Sequence, residues 1–157
     1  MNKKFYIIAA FSLLIDQVTK ILIDTFLSLN EVIVVFEDFF SITNVYNTGA
    51  AFSILEGKTW FLSILSIIIL IILLKMSNEF VMNKRNIIAF GLLNGGIFGN
   101  FADRLFLGSV RDFLKFTIFG YNFPVFNIAD ICIVIGVVLL GISILKGDDK
   151  NEINSKD

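Results

Sequence analysis

The chain has 157 residues, enough for one domain, and 56% of them are hydrophobic against 17% charged, with mean hydropathy +0.82. That balance excludes an ordinary soluble domain of this length and indicates an integral membrane protein, while a net charge of −1 argues against a nucleic-acid partner. With no histidine and a lone cysteine, Ser-His-Asp and Cys-His catalysis, the usual zinc sites and an internal disulfide are also excluded, which leaves carboxylates, amides, hydroxyls and one thiol for any chemistry.

The first apolar segment runs from about Phe5 to Ile23 behind Lys3-Lys4. It imitates the first two parts of a secretory signal, but no small-residue cleavage site follows. Asp16, Gln17 and Lys20 come instead, so the segment is expected to stay as a signal-anchor helix. Asp16 and Lys20 stand one helical turn apart and are expected to form a structural pair near mid-membrane. Glu31 to Val45 reads as β, with a turn at Glu37-Asp38, and is expected to form a short sheet resting on the membrane surface. The block Asn47-Thr48-Gly49-Ala50-Ala51-Phe52 precedes the second apolar segment. It reads either as a plain turn or as a place where Asn47 offers its amide to a substrate backbone.

The second segment, Thr59 to Leu74, is uncharged and bounded by Lys58 and Lys75, whose stems can reach the interfaces. The third, Asn86 to Ala102, repeats Gly91, Gly95 and Gly99 every fourth residue, a small-residue groove for close helix packing. Val110 to Phe123 mixes Phe113, Leu114, Phe116, Ile118 and Phe119 with Arg111, Asp112 and Lys115, which predicts an interfacial helix or lip. The fourth segment, Phe126 to Leu145, follows Pro124 and contains Cys132, read as an inert buried thiol. Gly147 to Asp157 is a polar tail expected to be disordered.

In a four-span arrangement Lys3, Lys4, Lys75, Lys84, Arg85, Lys146, Lys150 and Lys156 fall on one side, and Lys58, Arg104, Arg111 and Lys115 on the other. The excess of positive charge puts both termini in the cytoplasm and both long loops outside.

Two stretches then carry carboxylates at the outer boundary: Gly99-Asn100-Phe101-Ala102-Asp103-Arg104 with Asp112 beyond it, and Phe126-Asn127-Ile128-Ala129-Asp130. An ionisable group within a span costs roughly 2.5–3.5 kcal/mol on the insertion scale, so it is a functional candidate by default. Asn100, Asp103 and Arg104 share a helix face, and Asp103 with Arg104 reads as a structural ion pair. Asp130 has no cation beside it in sequence; it lies about six residues inside Pro124, or ~9 Å along a helix. If the loop folds back, Asp112 joins Asp130. Two close carboxylates share one proton and hold a water between a general acid and a general base. A proton-coupled carrier relaying through Asp16 and Asp130, and a non-catalytic scaffold, remain open on these residues alone.

Five blocks in order resemble the bacterial lipoprotein signal peptidase family, also called signal peptidase II: Asp16-Gln17-Val18-Thr19-Lys20, Asn47 to Phe52, Gly99 to Arg104, Val110-Arg111-Asp112-Phe113, and Phe126 to Asp130. The resemblance implies a mainly α membrane protein with four transmembrane helices, a small extracytoplasmic β-sheet and an interfacial loop or helix. Residues 1–146 would form the peptidase domain, with the β-like loop at about 30–57 and the outer lip at about 103–125, and 147–157 a cytoplasmic tail. It implies an aspartic endopeptidase of the bacterial plasma membrane, needing no metal and no cofactor. Asp112 and Asp130 resemble the catalytic pair. Asn47, Asn100, Arg104 and Asn127 match polar positions expected to hold substrate and orient the acids. Asp16, Lys20 and Asp103 match positions that look structural. The implied substrate is a diacylglyceryl-modified prolipoprotein cut just before its lipidated cysteine. The implied surroundings are membrane lipids, the expected inhibitor is globomycin, and the expected state is a monomer. The chain departs from the family pattern at Tyr46, where a basic residue is common, and at Arg111, where a small apolar one is. A guanidinium next to Asp112, if it points the same way, would favour its ionised form and make it the base.

Overall fold

The computed structural model describes residues 3–50 and 54–148. Its elements, in chain order, are α1 (Lys3–Phe26), β1 (Val32–Phe36), β2 (Phe40–Asn47), α2 (Thr59–Glu79), α3 (Lys84–Leu107), β3 (Val110–Ile118), β4 (Tyr121–Asn122) and α4 (Ile128–Leu145). Three of the helices, α1, α2 and α4, are long and apolar enough to cross a membrane. In α2 the side chains of Ile64, Ile67, Ile68, Ile71 and Ile72 are exposed rather than packed. A helix that is apolar all round yet unburied by its own chain is suited to lipid. α3 is as long as α1 but more polar, and it packs against all three of the others.

Between lipid-immersed helices there is little hydrophobic drive, so close packing and polar contacts hold them together. The glycine stripe serves the first. A β-carbon at Gly91 would sit 2.7 Å from Ile8 Cγ2, and one at Gly99 would sit 2.5 Å from Asp16 Oδ2, so α1 lies directly on this face. On another face of α3, a β-carbon at Gly96 would stand 2.5 Å from the Ala129 carbonyl oxygen of α4. At the end of the bundle away from the sheet, Phe5, Leu73, Phe80, Ile87, Phe90, Leu93 and Leu140 form the apolar core. The carboxylates and amides of the five sequence blocks gather at the opposite end, beneath the sheet.

The expected strands over Glu31 to Val45 are present as the β1–β2 hairpin, with Asp38 in the left-handed region at φ 55°. The expected interfacial helix or lip over Val110 to Phe123 is instead strand: β3 and β4 complete a four-stranded antiparallel sheet in the order β1-β2-β3-β4. β2 carries one extra residue between the pairs Ile42↔Leu114 and Val45↔Asp112. This bulge buries Thr43 and Asn44, and Asn44 Nδ2 donates to the Leu27 carbonyl at 3.0 Å, which ties the sheet to the end of α1.

The helix ends are capped by their own sequence. Asn83 accepts from the Asn86 N–H at the start of α3, and Gly108, at φ 72°, closes it. α3 therefore runs past both expected ends. α4 starts with a capping box: Asn127 accepts from the Asp130 N–H and Asp130 accepts from the Asn127 N–H. Of the expected tail, 149–157 lie outside the described residues; Asp148 is tied down, accepting from Asn83 Nδ2 at 2.7 Å and pairing with Arg85.

Candidate active site

Two cavities meet where α3 and α4 approach the sheet. One, about 580 Å³, is a groove along α2, α3 and α4 lined by Leu65, Ile69, Ile97, Ile133 and Val137. The other, about 810 Å³, lies under the sheet and beside α4, lined by Asn47, Asp112, Phe123, Val125 and Val134. Asn100, Arg104 and Asp130 line both. All six residues expected at the site are thus brought to one place, with Asn127 buried directly behind the cavity walls.

Strand alternation decides what faces the cavity. Tyr46 pairs with Arg111, and Val45 with Asp112, so consecutive side chains of β3 point to opposite faces. Asp112 turns toward the cavity. Arg111 turns to the other face, where it holds Asp103 Oδ1 at 2.7 Å and Asp24 Oδ2 at 3.3 Å and donates to Gln17 Oε1 at 3.0 Å. The expectation that Arg111 would stabilise ionised Asp112 is therefore overturned. Burial, and after it the charge of Asp130, push the Asp112 carboxyl up to about 7, against the pull of the Asn47 and Asn127 amides.

Each carboxylate oxygen of the pair accepts one N–H. Asp112 Oδ1 accepts from Asn127 Nδ2 at 2.6 Å and Oδ2 from Asn47 Nδ2 at 3.0 Å. Asp130 Oδ1 accepts from Asn100 Nδ2 at 2.7 Å and Oδ2 from the Asn127 backbone N–H at 3.2 Å. Asn127 thus touches both acids, one through its side chain and one through its cap. Asn47 closes a tight turn by accepting the Gly49 N–H at 2.9 Å. Its block continues into Ala51 and Phe52, which lie outside the described residues. Arg104 Nη2 donates to the Gly49 carbonyl at 3.2 Å, while its buried Nε has no partner among the described residues.

Behind this layer lies a second. Asp16 and Lys20 pair at 2.8 Å as expected, and both are fully buried. Asp16 Oδ1 also accepts the Ala129 N–H at 2.9 Å, fixing the first turn of α4 on α1. Asp103 does not pair with Arg104; its charged partners are Arg111 and, at 3.3 Å, Lys20, and it also accepts from Gln17 Nε2 at 3.1 Å. Adjacent helical residues do not face each other, so sequence neighbours made a poor pair. Gln17, which the sequence reading named without a role, and Asp24, which escaped it, belong to this layer. The available signal was that Asp16, Lys20 and Asp24 recur every fourth residue and so line one face of α1.

Comparison with known proteins identifies the family. The family described as signal peptidase (SPase) II matches residues 8–146. A lipoprotein signal peptidase of Staphylococcus aureus (strain bovine RF122 / ET3-1) is 44% identical over 93% of both chains. That of Staphylococcus haemolyticus (strain JCSC1435) is 43% identical, over 97% of this chain and all of its own. A solved bacterial membrane enzyme superposes with TM-score 0.81 at 43% identity, covering 90% of this chain and 87% of the other. A second gives 0.77 at 41%, covering 90% and 92%. A carrier or scaffold reading does not stand beside these matches. The chain belongs to the signal peptidase II family and is an aspartic-type membrane peptidase.

Proposed function

We propose that this protein removes the signal peptide from diacylglyceryl-modified prolipoproteins, cutting just before the lipidated cysteine, with Asp112 and Asp130 as the catalytic pair. The observation that carries the reading is the convergence of these two carboxylates, one from β3 and one from α4, on the junction of two apolar grooves. Its relatives' names supply the substrate class.

Asp112, held up to about 7, carries the shared proton and Asp130 is the general base. Asp130 takes a proton from water as its oxygen attacks the scissile carbonyl, and Asp112 gives its proton to the carbonyl oxygen. The resulting tetrahedral diol collapses as Asp130 returns a proton to the leaving nitrogen and Asp112 recovers its own. Arg104, whose Nε is unpartnered among the described residues, and Asn47 hold the substrate backbone. The groove from Asp130 to Ile144 spans ~21 Å at 1.5 Å per residue, room for the helical apolar part of a signal peptide. The cavity under the sheet takes the acyl chains, entering sideways from the bilayer.

α3 is the fourth span, its polar side chains turned inward. Lys3, Lys4, Lys75, Lys84, Arg85 and Lys146 mark the cytoplasmic side of the bacterial plasma membrane, so the sheet and the acids face outward. Residues 1–146 act as one monomeric peptidase domain, inhibited by globomycin. The test is cleavage by purified protein in detergent of a prolipoprotein with and without its diacylglyceryl group. Cleavage of the modified form alone, before the cysteine, is expected; equal cleavage of both overturns the substrate assignment.

A further inference from the structure

Lys20 is fully buried, and the three donors of its ammonium meet three acceptors: Asp16 Oδ2 at 2.8 Å, Asn100 Oδ1 at 2.9 Å and Asp103 Oδ2 at 3.3 Å. Two of these are carboxylates that would pair an ammonium anywhere in a bundle. The third is the oxygen of a side-chain amide whose other end donates to Asp130 Oδ1 at 2.7 Å. Asn127 Nδ2 donates to the same Asn100 oxygen at 3.1 Å. Two donors, one of them charged, therefore meet at Asn100 Oδ1. Turning the amide over would set its NH2 group against an ammonium and another NH2, and would take the donor away from Asp130. In a buried site, such mismatches are costly.

We propose that Lys20 is a positioning residue for the reaction: it fixes the orientation of the Asn100 amide and, through it, the place of Asp130 Oδ1 in the cavity. This rests on the assignment of Asp130 as the general base. The two other acceptors do not need Lys20 in the same way. Asp103 keeps Arg111 at 2.7 Å, and Asp16 keeps the Ala129 N–H and Gln17 Nε2. Among the described residues, Asn100 has no other charged donor on its oxygen. An arginine cannot replace the lysine, because its planar fork does not fit three acceptors around a point. The charged groups gathered around Asp130 and Lys20 are Asp16 on α1, Asp103 and Arg104 on α3, and Arg111 and Asp112 on β3.

The experiment is a mutant cycle on the full chain in detergent, read as kcat, KM and pH–rate profile on a diacylglyceryl-modified prolipoprotein. Asp16→Asn/Lys20→Met removes the buried pair without stranding a charge. A misplaced reacting group costs on the order of 100-fold, so kcat is expected to fall ~10- to 100-fold with KM nearly unchanged and a displaced pH profile. Wild-type kcat in the folded double variant overturns the proposal. Adding the same pair of changes to Asn100→Ala is expected to cost nothing further; losses that multiply overturn it. Should the double variant not fold, Asn100→Asp keeps Lys20 paired while removing the donor to Asp130. It is expected to lose kcat and displace the pH profile, and wild-type behaviour overturns the proposal. Asp130→Asn is run alongside. If it stays active, the general-base assignment fails; if it is inactive while the cycle is multiplicative, only the role of Lys20 fails.

Discussion

Asn127 reaches Asp112 with its side-chain N–H at 2.6 Å, the shortest contact either acid makes to an amide. The same residue caps α4 and accepts the Asp130 N–H at 3.0 Å. One side chain therefore sets the start of a helix and the spacing of two carboxylates. Removing a cap alone costs about 1 kcal/mol. Asn127→Ser keeps an N-cap oxygen but loses the reach to Asp112. It is expected to retain most stability and lose activity by ~100-fold or more, within the range that positioned acids and bases contribute. Thermal unfolding in detergent together with kcat checks the split.

Asp112 is buried at a cost in stability. Its folded carboxyl keeps a proton up to about 7, whereas an unfolded aspartate ionises near 3.9. Between those values the folded state binds the more protons, so this group lowers stability as pH rises from about 4 to about 7 and leaves the full cost above that. Asp112→Asn is neutral in both states. It is expected to be inactive yet more stable than the wild type at pH 8, by on the order of 4 kcal/mol for a difference of about three pKa units, with the gain shrinking toward pH 4. Unfolding at several pH values measures it.

Arg111 provides a contrasting outcome. Its guanidinium faces Asp103, Asp24 and Gln17, not the cavity. Arg111→Val is expected to leave the shape of the pH–rate profile unchanged and to destabilise the protein. Breaking a buried ion pair by removing one partner typically costs about 3–5 kcal/mol. A displaced profile at full stability would contradict the strand geometry.

Gly99 tests the packing that carries the inner polar layer. A β-carbon there meets Asp16 Oδ2 at 2.5 Å, and Asp16 has Lys20 and the Ala129 N–H to hold. Gly99→Ala is expected to destabilise by about 1–3 kcal/mol, the usual cost of overpacking. Gly141, where a β-carbon meets nothing within 4 Å, is the control expected to tolerate alanine.

Much of this is legible in the amino-acid sequence. The membrane character followed from composition, the first hairpin from its apolar runs and acidic turn, and the Asp16–Lys20 pair from helical spacing. Asp112 and Asp130 stood out as carboxylates at the outer membrane boundary, and the resemblance to the signal peptidase II family set Asn47, Asn100, Arg104 and Asn127 beside them. The rest was not legible, for physical reasons. Val110 to Ile118 places apolar and charged side chains on both faces, a pattern shared by an interfacial helix and a covered strand. Only pairing with β2, far away in sequence, decides between them. The orientation of Arg111 depended on that choice, since neighbours diverge in a strand. The true partner of Asp103 likewise lay on β3 and α1, while the neighbouring Arg104 turned toward Gly49.

The central claim is that Asp112 and Asp130 act as one pair on a lipid-modified precursor. It is tested most directly by cleavage of a diacylglyceryl-modified prolipoprotein with purified wild type, Asp112→Asn and Asp130→Asn, each shown to be folded. Loss of cleavage in both variants, with wild-type activity intact, is the predicted result. Full activity in either folded variant would contradict it.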